Sequence, residues 1–154
     1  MLLIVILRLK NVNLLLPNDI VLGDAFDANA NSKIINVGEA IPENWMGLDI
    51  GPESITTFND CLANSETVVW NGPMGVFEDS EFATGTNEVF IEISKSDGMT
   101  VVGGGETAMA FNQMGLADGI RHISTGGGAC ISFMSGETMP ALEAMRRSKN
   151  KFNK

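Results

Sequence analysis

The 154-residue sequence holds little of what marks several functional classes. Its two cysteines, Cys61 and Cys130, lie far apart and form no CxxC or CxxH pattern, so neither a disulfide framework nor a zinc site is indicated and a reducing, cytoplasmic setting is expected. Basic residues are scarce: 10 Lys and Arg against 19 Asp and Glu leave a net charge of −9, the wrong sign for collecting nucleic-acid phosphates. Nucleic acid is therefore not an expected partner. No apolar run approaches the roughly 20 residues of a membrane span, so no membrane partner is expected either. The apolar start, MLLIVILRLKN (1–11), has no basic stretch before it and no small-residue cleavage site after it. It reads as an atypical segment, a strand or helix remnant. The P-loop pattern GxxxxGK[ST] is missing as well.

What remains is ordinary for one globular domain, with 44% hydrophobic and 19% charged residues. Short apolar runs at LLL (14–16), IVL (20–22), TVVW (67–70), MTVV (99–102) and IRHIS (120–124) are bounded by Gly, Pro, Asn and Asp and read as buried strands. Helical periodicity separates several of them. Ile55, Phe58 and Leu62 share a face after Pro52, Phe82, Thr86, Val89, Phe90 and Ile93 share another, and Glu106–Gln113 forms a third helix stopped by Gly115. Strands alternating with helices predict a doubly wound, Rossmann-like α/β fold with a parallel sheet covered on both faces. Ligands of such folds bind beyond the carboxyl ends of the strands.

Two segments at such ends stand out. VVGGGETAMA (101–110) places three glycines and an acid between a strand and a helix, where backbone N–H groups and a helix N-terminus suit a phosphate. Thr107 offers a hydroxyl. Glu106 points to magnesium, which a carboxylate and substrate phosphates commonly hold together, or else it merely complements the helix dipole. STGGGA (124–129) repeats the glycine triplet after the next strand, and two turns on neighbouring strand ends can converge on one phosphate group. Gly103, Gly105 and Ala108 also match the dinucleotide pattern G-x-G-x-x-A, but the ribose-binding acid expected about 20 residues on is replaced by STGGGA. A third loop, WNGPMGVFE (70–78), follows a strand and ends in Glu78, which is either a ribose ligand or a capping acid of a tight turn. His122, Trp45, Trp70 and the methionines read first as structural.

Taken in order, LLLPNDIVLGDAFDANA, WMGLDIGPES, VVWNGPMGVFE, VVGGGETA and IRHISTGGGA resemble the nucleotide-binding C-terminal domain of phosphoglycerate kinases, over residues 12–147, with 148–154 left as a polar tail. The resemblance implies a truncated C-terminal domain of a two-domain, glycolytic kinase. Its reaction is phosphoryl transfer between 1,3-bisphosphoglycerate and Mg-ADP, giving 3-phosphoglycerate and ATP, with ATP or ADP and Mg2+ as cofactors. Carried across position by position, it makes Phe26 and Leu48 walls of a nucleotide pocket, and Asn71, Pro73, Gly75 and Val76 the adenosine-side loop, with Glu78 on the ribose. Gly104, Gly105, Glu106 and Thr107 become the phosphate turn, with Glu106 the metal ligand. Gly126, Gly127 and Gly128 face the transferred phosphoryl group as the catalytic turn, and Ser124 and Thr125 fall on the hinge side of that strand.

Two departures follow. The family usually has GGGDT where this chain has GGGET, and the extra methylene is expected to weaken or shift magnesium coordination. The N-terminal domain that binds the glycerate substrate is absent from these 154 residues, as is the segment that brings lysines to the phosphates. The chain by itself is thus expected to bind nucleotide at most, with 3-phosphoglycerate engaged only through that other domain. A non-catalytic nucleotide-binding module, a non-functional gene fragment and, at a distance, a dinucleotide oxidoreductase domain are the other readings. Residues 137–147 would lack a packing partner, and an open sheet edge would invite association.

Overall fold

The computed structural model describes residues 12–27 and 29–152. The expectation for the N-terminal segment 1–11 lies outside them. Contacts divide the chain into two compact units, one running up to Ser65 together with Pro73–Glu92, the other comprising Glu66–Gly72 and the chain from Ile93 onward.

The first unit is built on β1 (Asp19–Gly23), β2 (Ser32–Asn36) and β3 (Met46–Ile50), a sheet of order β2-β1-β3 that is antiparallel throughout. This differs from the purely parallel sheet expected. The β1-β2 connection is too short for a helical crossover, so β2 turns back beside β1, and β3 then pairs antiparallel with the other edge of β1. The segment LLL (14–16) is not a strand: Leu14 and Leu16 are exposed, and Pro17 cannot donate to a ladder. Helix α1 (Pro52–Ala63) packs on β1 and begins with Pro at its first position, as its φ preference favours. A 3-10 turn, Ser80–Phe82, leads into α2 (Thr84–Ser94). Leu22, Leu48, Ile50, Phe82, Val89 and Phe90 are all buried. Gly23, the last residue of β1, has to be glycine because a methyl there would lie 2.6 Å from the Leu48 side chain and 2.8 Å from the Phe82 ring. The ammonium of Lys33, on β2, stands 3.9 Å from the centroid of the half-buried Trp45 ring, just before β3.

A buried carboxylate closes this unit. The N-cap of α1 is Gly51, which has no side chain to satisfy the first helical amides. Asp19 of β1 supplies what Gly51 lacks, accepting from the N–H of Glu53 (3.0 Å), the N–H of Ser54 (2.8 Å) and the Ser54 hydroxyl (2.6 Å). A side chain at position 51 would overlap that carboxylate. The arrangement explains why Ser54 is fully buried while Ile55, Phe58 and Leu62, the expected core face of α1, are only half-buried.

The second unit holds β4 (Thr67–Trp70), β5 (Met99–Gly103) and β6 (His122–Ser124), parallel and in the order β4-β5-β6. Helix α3 (Gly105–Gln113) joins β5 to β6, followed by a 3-10 turn (Ala117–Gly119), α4 (Gly127–Met134) and α5 (Pro140–Phe152). The chain is thus α/β, with the parallel, helix-connected strands expected for the motifs at 67–124. Its core contains Val68, Trp70, Val102, Ala108 and Phe111. Gly115, with φ of 68°, ends α3 as predicted, its N–H and that of Leu116 closing on the carbonyls of Asn112 and Phe111. The sheet is not covered on both faces: Val69 of β4 is 43% exposed, and apolar α4 buries none of its residues. His122 is exposed at the start of β6. Among the described residues no helix is long and apolar enough to cross a membrane.

Candidate functional site

In the second unit, β5 and β6 are adjacent and parallel, so the residues that follow them emerge at the same end of the sheet. The first turn begins at Gly104, whose φ of 103° is a conformation that only glycine adopts without strain. Its N–H donates to the Ser124 carbonyl at 3.0 Å, tying the two turns together. Gly127 is packed against the same point, because a methyl there would stand 3.2 Å from the Gly104 Cα and 3.5 Å from Asn71 Oδ1. Asn71, expected with the adenosine-side loop, therefore has its side chain against both turns; a methyl on Gly103 would meet the same oxygen at 2.7 Å.

Each turn ends in a helix N-terminus. The caps of α3 and α4 are Gly104 and Gly126, and neither helix receives a capping side-chain hydrogen bond. The first amides of both helices are accordingly left to an outside acceptor, and the helix dipoles favour a negative one. The glycines divide into two kinds. Gly103, Gly104 and Gly127 are required by the chain's own packing or dihedral angles, whereas a methyl at Gly105 or Gly128 would meet nothing within 4 Å. Both open positions are exposed. Gly126 is also exposed, and a methyl there would make only ordinary contact, 3.5 Å, with Ala129.

Glu106 is exposed in the first turn of α3. Thr107 is 2% exposed, and its hydroxyl oxygen would be 3.4 Å from a methyl on Gly104, so it lies beneath the turn rather than over it. No cluster of three or more His, Cys, Asp or Glu capable of holding a metal occurs among the described residues. The donor set fits a cation that takes one carboxylate and completes its shell from phosphate oxygens and water, as magnesium does.

The first unit contains the other expected residues. Phe26 is 68% exposed in the β1-β2 loop, whose ends are tied by Asn31 donating from N and Nδ2 to the Asp24 carboxylate at 2.9 and 2.7 Å. Leu48, Gly75 and Val76 line one groove of about 480 Å³ together with Ile20, Asp49 and Met74. Pro73 and Glu78 are exposed in the same loop, outside that lining.

Asp49 was not among the residues singled out by sequence. It is buried, its Oδ2 accepting from the Gly85 N–H at 2.7 Å and its Oδ1 from the Ile50 N–H at 2.8 Å. Burial pushes its pKa above the ordinary aspartate value, and the amides of Gly85 and Ile50 act against that push. The available signal was an acid inside the apolar run of WMGLDI, which a buried strand keeps only when its carboxylate is hydrogen-bonded.

Comparisons with known proteins bear on the family and the fold. The family model described as "Phosphoglycerate kinase" matches residues 3–137. The chain is 50% identical over 143 residues to the chloroplastic phosphoglycerate kinase of Volvox carteri, covering 91% of this chain and 31% of the relative. It is 49% identical over 136 residues to the phosphoglycerate kinase of Roseiflexus castenholzii, covering 88% and 34%. Among solved structures, that of phosphoglycerate kinase from Coxiella burnetii matches with a TM-score of 0.81 at 36% identity, over 88% of this chain and 35% of the other. The Pyrococcus horikoshii enzyme gives 0.74 and 37%, over 88% and 33%. The chain spans about a third of the length of the relatives it matches. A family match across most of the sequence, joined to solved structures that share its fold, makes this chain a member of the phosphoglycerate kinase family.

Proposed function

We propose that this chain binds an adenine nucleotide and represents the nucleotide side of the family's reaction, phosphoryl transfer between 1,3-bisphosphoglycerate and Mg-ADP. The observation that supports it most is the meeting of two uncapped helix N-termini through the Gly104–Ser124 hydrogen bond, with open glycines on each. The amides of Gly105, Glu106 and Thr107 donate to one part of the polyphosphate, and those of Gly126, Gly127 and Gly128 face the group being transferred. Phosphoryl transfer asks mainly for positioning and for stabilisation of charge on the equatorial oxygens, and fixed backbone amides provide both. Magnesium, when bound, neutralises charge between the phosphate oxygens; Glu106 is the carboxylate that would hold it. The adenosine-side assignments Phe26, Leu48, Pro73, Gly75, Val76 and Glu78 belong to the first unit, Asn71 to the second. A cytoplasmic setting goes with this reading.

Neither glycine turn, 103–107 or 124–129, carries a lysine or arginine, so neither turn supplies a cation to offset charge in the transition state. Turnover by this chain alone is expected to be negligible in a coupled ATP assay, with 3-phosphoglycerate bound only where the rest of the family's length is supplied. Mg-ADP titration followed by calorimetry is the direct test. Saturable heat with the folded chain is expected, and none at millimolar nucleotide would refute the reading. Glu106→Asp is expected to strengthen the magnesium-dependent part of the affinity, because the shorter side chain restores the family's carboxylate position. Titrations with and without magnesium check this, and an unchanged difference would remove Glu106 from the metal.

A further inference from the structure

The loop at 73–78 is held by two side chains that have no assigned role. The hydroxyl oxygen of Thr86, fully buried in the first turn of α2, accepts from the N–H groups of Met74 at 3.0 Å and Gly75 at 3.3 Å. The Val76 N–H donates to the Leu48 carbonyl of β3 at 2.9 Å. Asp49, next along β3, completes the circuit by accepting from the Gly85 N–H, one residue before Thr86. Gly75 fits between these groups only because it lacks a side chain, since a methyl would run into the Asp49 carboxylate and lie 2.7 Å from the Leu48 carbonyl. Strand, helix start and loop therefore close on one another through side-chain and backbone oxygens within the first unit.

We infer that Thr86 is a positioning residue for the nucleotide loop, with Asp49 setting the helix turn from which it acts. The inference rests on the nucleotide reading, which places Gly75 and Val76 beside the adenosine. Three consecutive amides of that loop are committed, two to Thr86 and one to Leu48, so the wall that Gly75 and Val76 give the groove keeps a single shape before any ligand arrives. Preorganisation of this kind raises affinity by removing the cost of ordering the loop on binding. A valine at position 86 keeps the shape of threonine but leaves the Met74 and Gly75 amides without an acceptor.

The test compares Thr86→Val with Thr86→Ser in the full chain, by calorimetric titration with Mg-ADP and with magnesium pyrophosphate, and by hydrogen exchange at Met74 and Gly75. Thr86→Val is expected to weaken Mg-ADP by about tenfold, leave pyrophosphate unchanged and speed exchange at those two amides, with Thr86→Ser restoring all three to wild type. Equal weakening of both ligands, or a serine variant as impaired as the valine one, would overturn the inference. If the unsubstituted chain takes up no Mg-ADP, the nucleotide reading fails separately, and the positioning of the loop is decided by exchange alone. Should the valine variant fail to fold, exchange in the unsubstituted chain decides: protection at Met74 and Gly75 matching that at Gly85 supports the circuit, and exchange at the free-loop rate overturns it.

Discussion

Gly105→Ala and Gly128→Ala, combined in one chain, are expected to leave the unfolding midpoint unchanged or slightly raised while lowering Mg-ADP affinity by about a hundredfold. The stability half follows from open space: a methyl at either position meets no atom within 4 Å, and neither residue needs a left-handed φ. Both lie in the first turn of a helix, where replacing glycine by alanine removes unfolded-chain freedom and is worth up to about 1 kcal/mol. The affinity half follows from what the same methyl does to a ligand. An amide bonded to a phosphate oxygen requires close approach of the backbone, and each such charge-assisted bond is worth about 1.5–3 kcal/mol, so losing one or two accounts for two decades. Thermal unfolding and calorimetric titration of the same sample check both halves. A midpoint that falls together with the affinity would mean that these glycines serve the fold. Gly127→Ala is the contrasting case, because its methyl would press on Gly104 at 3.2 Å and disturb both turns.

Asp19→Asn is expected to destabilise the chain by about 2–4 kcal/mol, a large share of the stability of a domain this size. The carboxylate accepts from Glu53 N–H, Ser54 N–H and the Ser54 hydroxyl, and an amide in its place turns one acceptor oxygen into a donor facing another donor. Burial alone would raise the Asp19 pKa, but the Ser54 hydroxyl and the amides of Glu53 and Ser54 hold it below the ordinary value of 3.8. With the folded pKa below the unfolded one, this stabilisation is fully present above pH about 4 and is lost as pH falls through the folded value. The gap between parent and variant should thus stay constant from neutral pH to about 4 and narrow below it. Asp49 behaves oppositely: its raised pKa means that lowering the pH towards 4 favours the folded state, and this contribution cancels in the comparison. Urea midpoints across pH 2.5–7, converted with a common slope, measure the gap. A gap that widens in acid would show that Asp19 is not held as its hydrogen bonds imply.

Much of the architecture was legible because it depends on local pattern. Pro52 opened α1 where expected, the face Phe82, Thr86, Val89, Phe90 and Ile93 is buried as periodicity required, and Gly115 stops α3. The strands at 67–70, 99–103 and 122–124 fall within or beside their apolar runs. The antiparallel sheet was missed for a physical reason. In SKIIN (32–36) burial alternates but residue type does not, with apolar Ile34 exposed and Lys33 and Ile35 half-buried, so no hydrophobic alternation announces β2, and the pairing of β3 with β1 rather than with β2 has no local signal. LLL (14–16) erred the other way, since apolar residues before a proline look like a strand although no strand forms there among the described residues.

The sequence by itself determined the family, the order of the glycine turns and the residue types available to a phosphate and a cation, because motifs are contiguous and their chemistry travels with them. Only the tertiary structure decided which glycines serve the fold and which stay open, that Asn71 lies between the two turns, and that Asp19, Asp49 and Thr86 carry buried polar work. Those assignments depend on pairs of residues 11 to 36 positions apart, such as Thr86 with Gly75 or Asp49 with Gly85, and on pairs farther apart still, such as Gly127 with Asn71. Contacts of that span exist only once strands and helices have packed, so no local pattern in the chain could announce them.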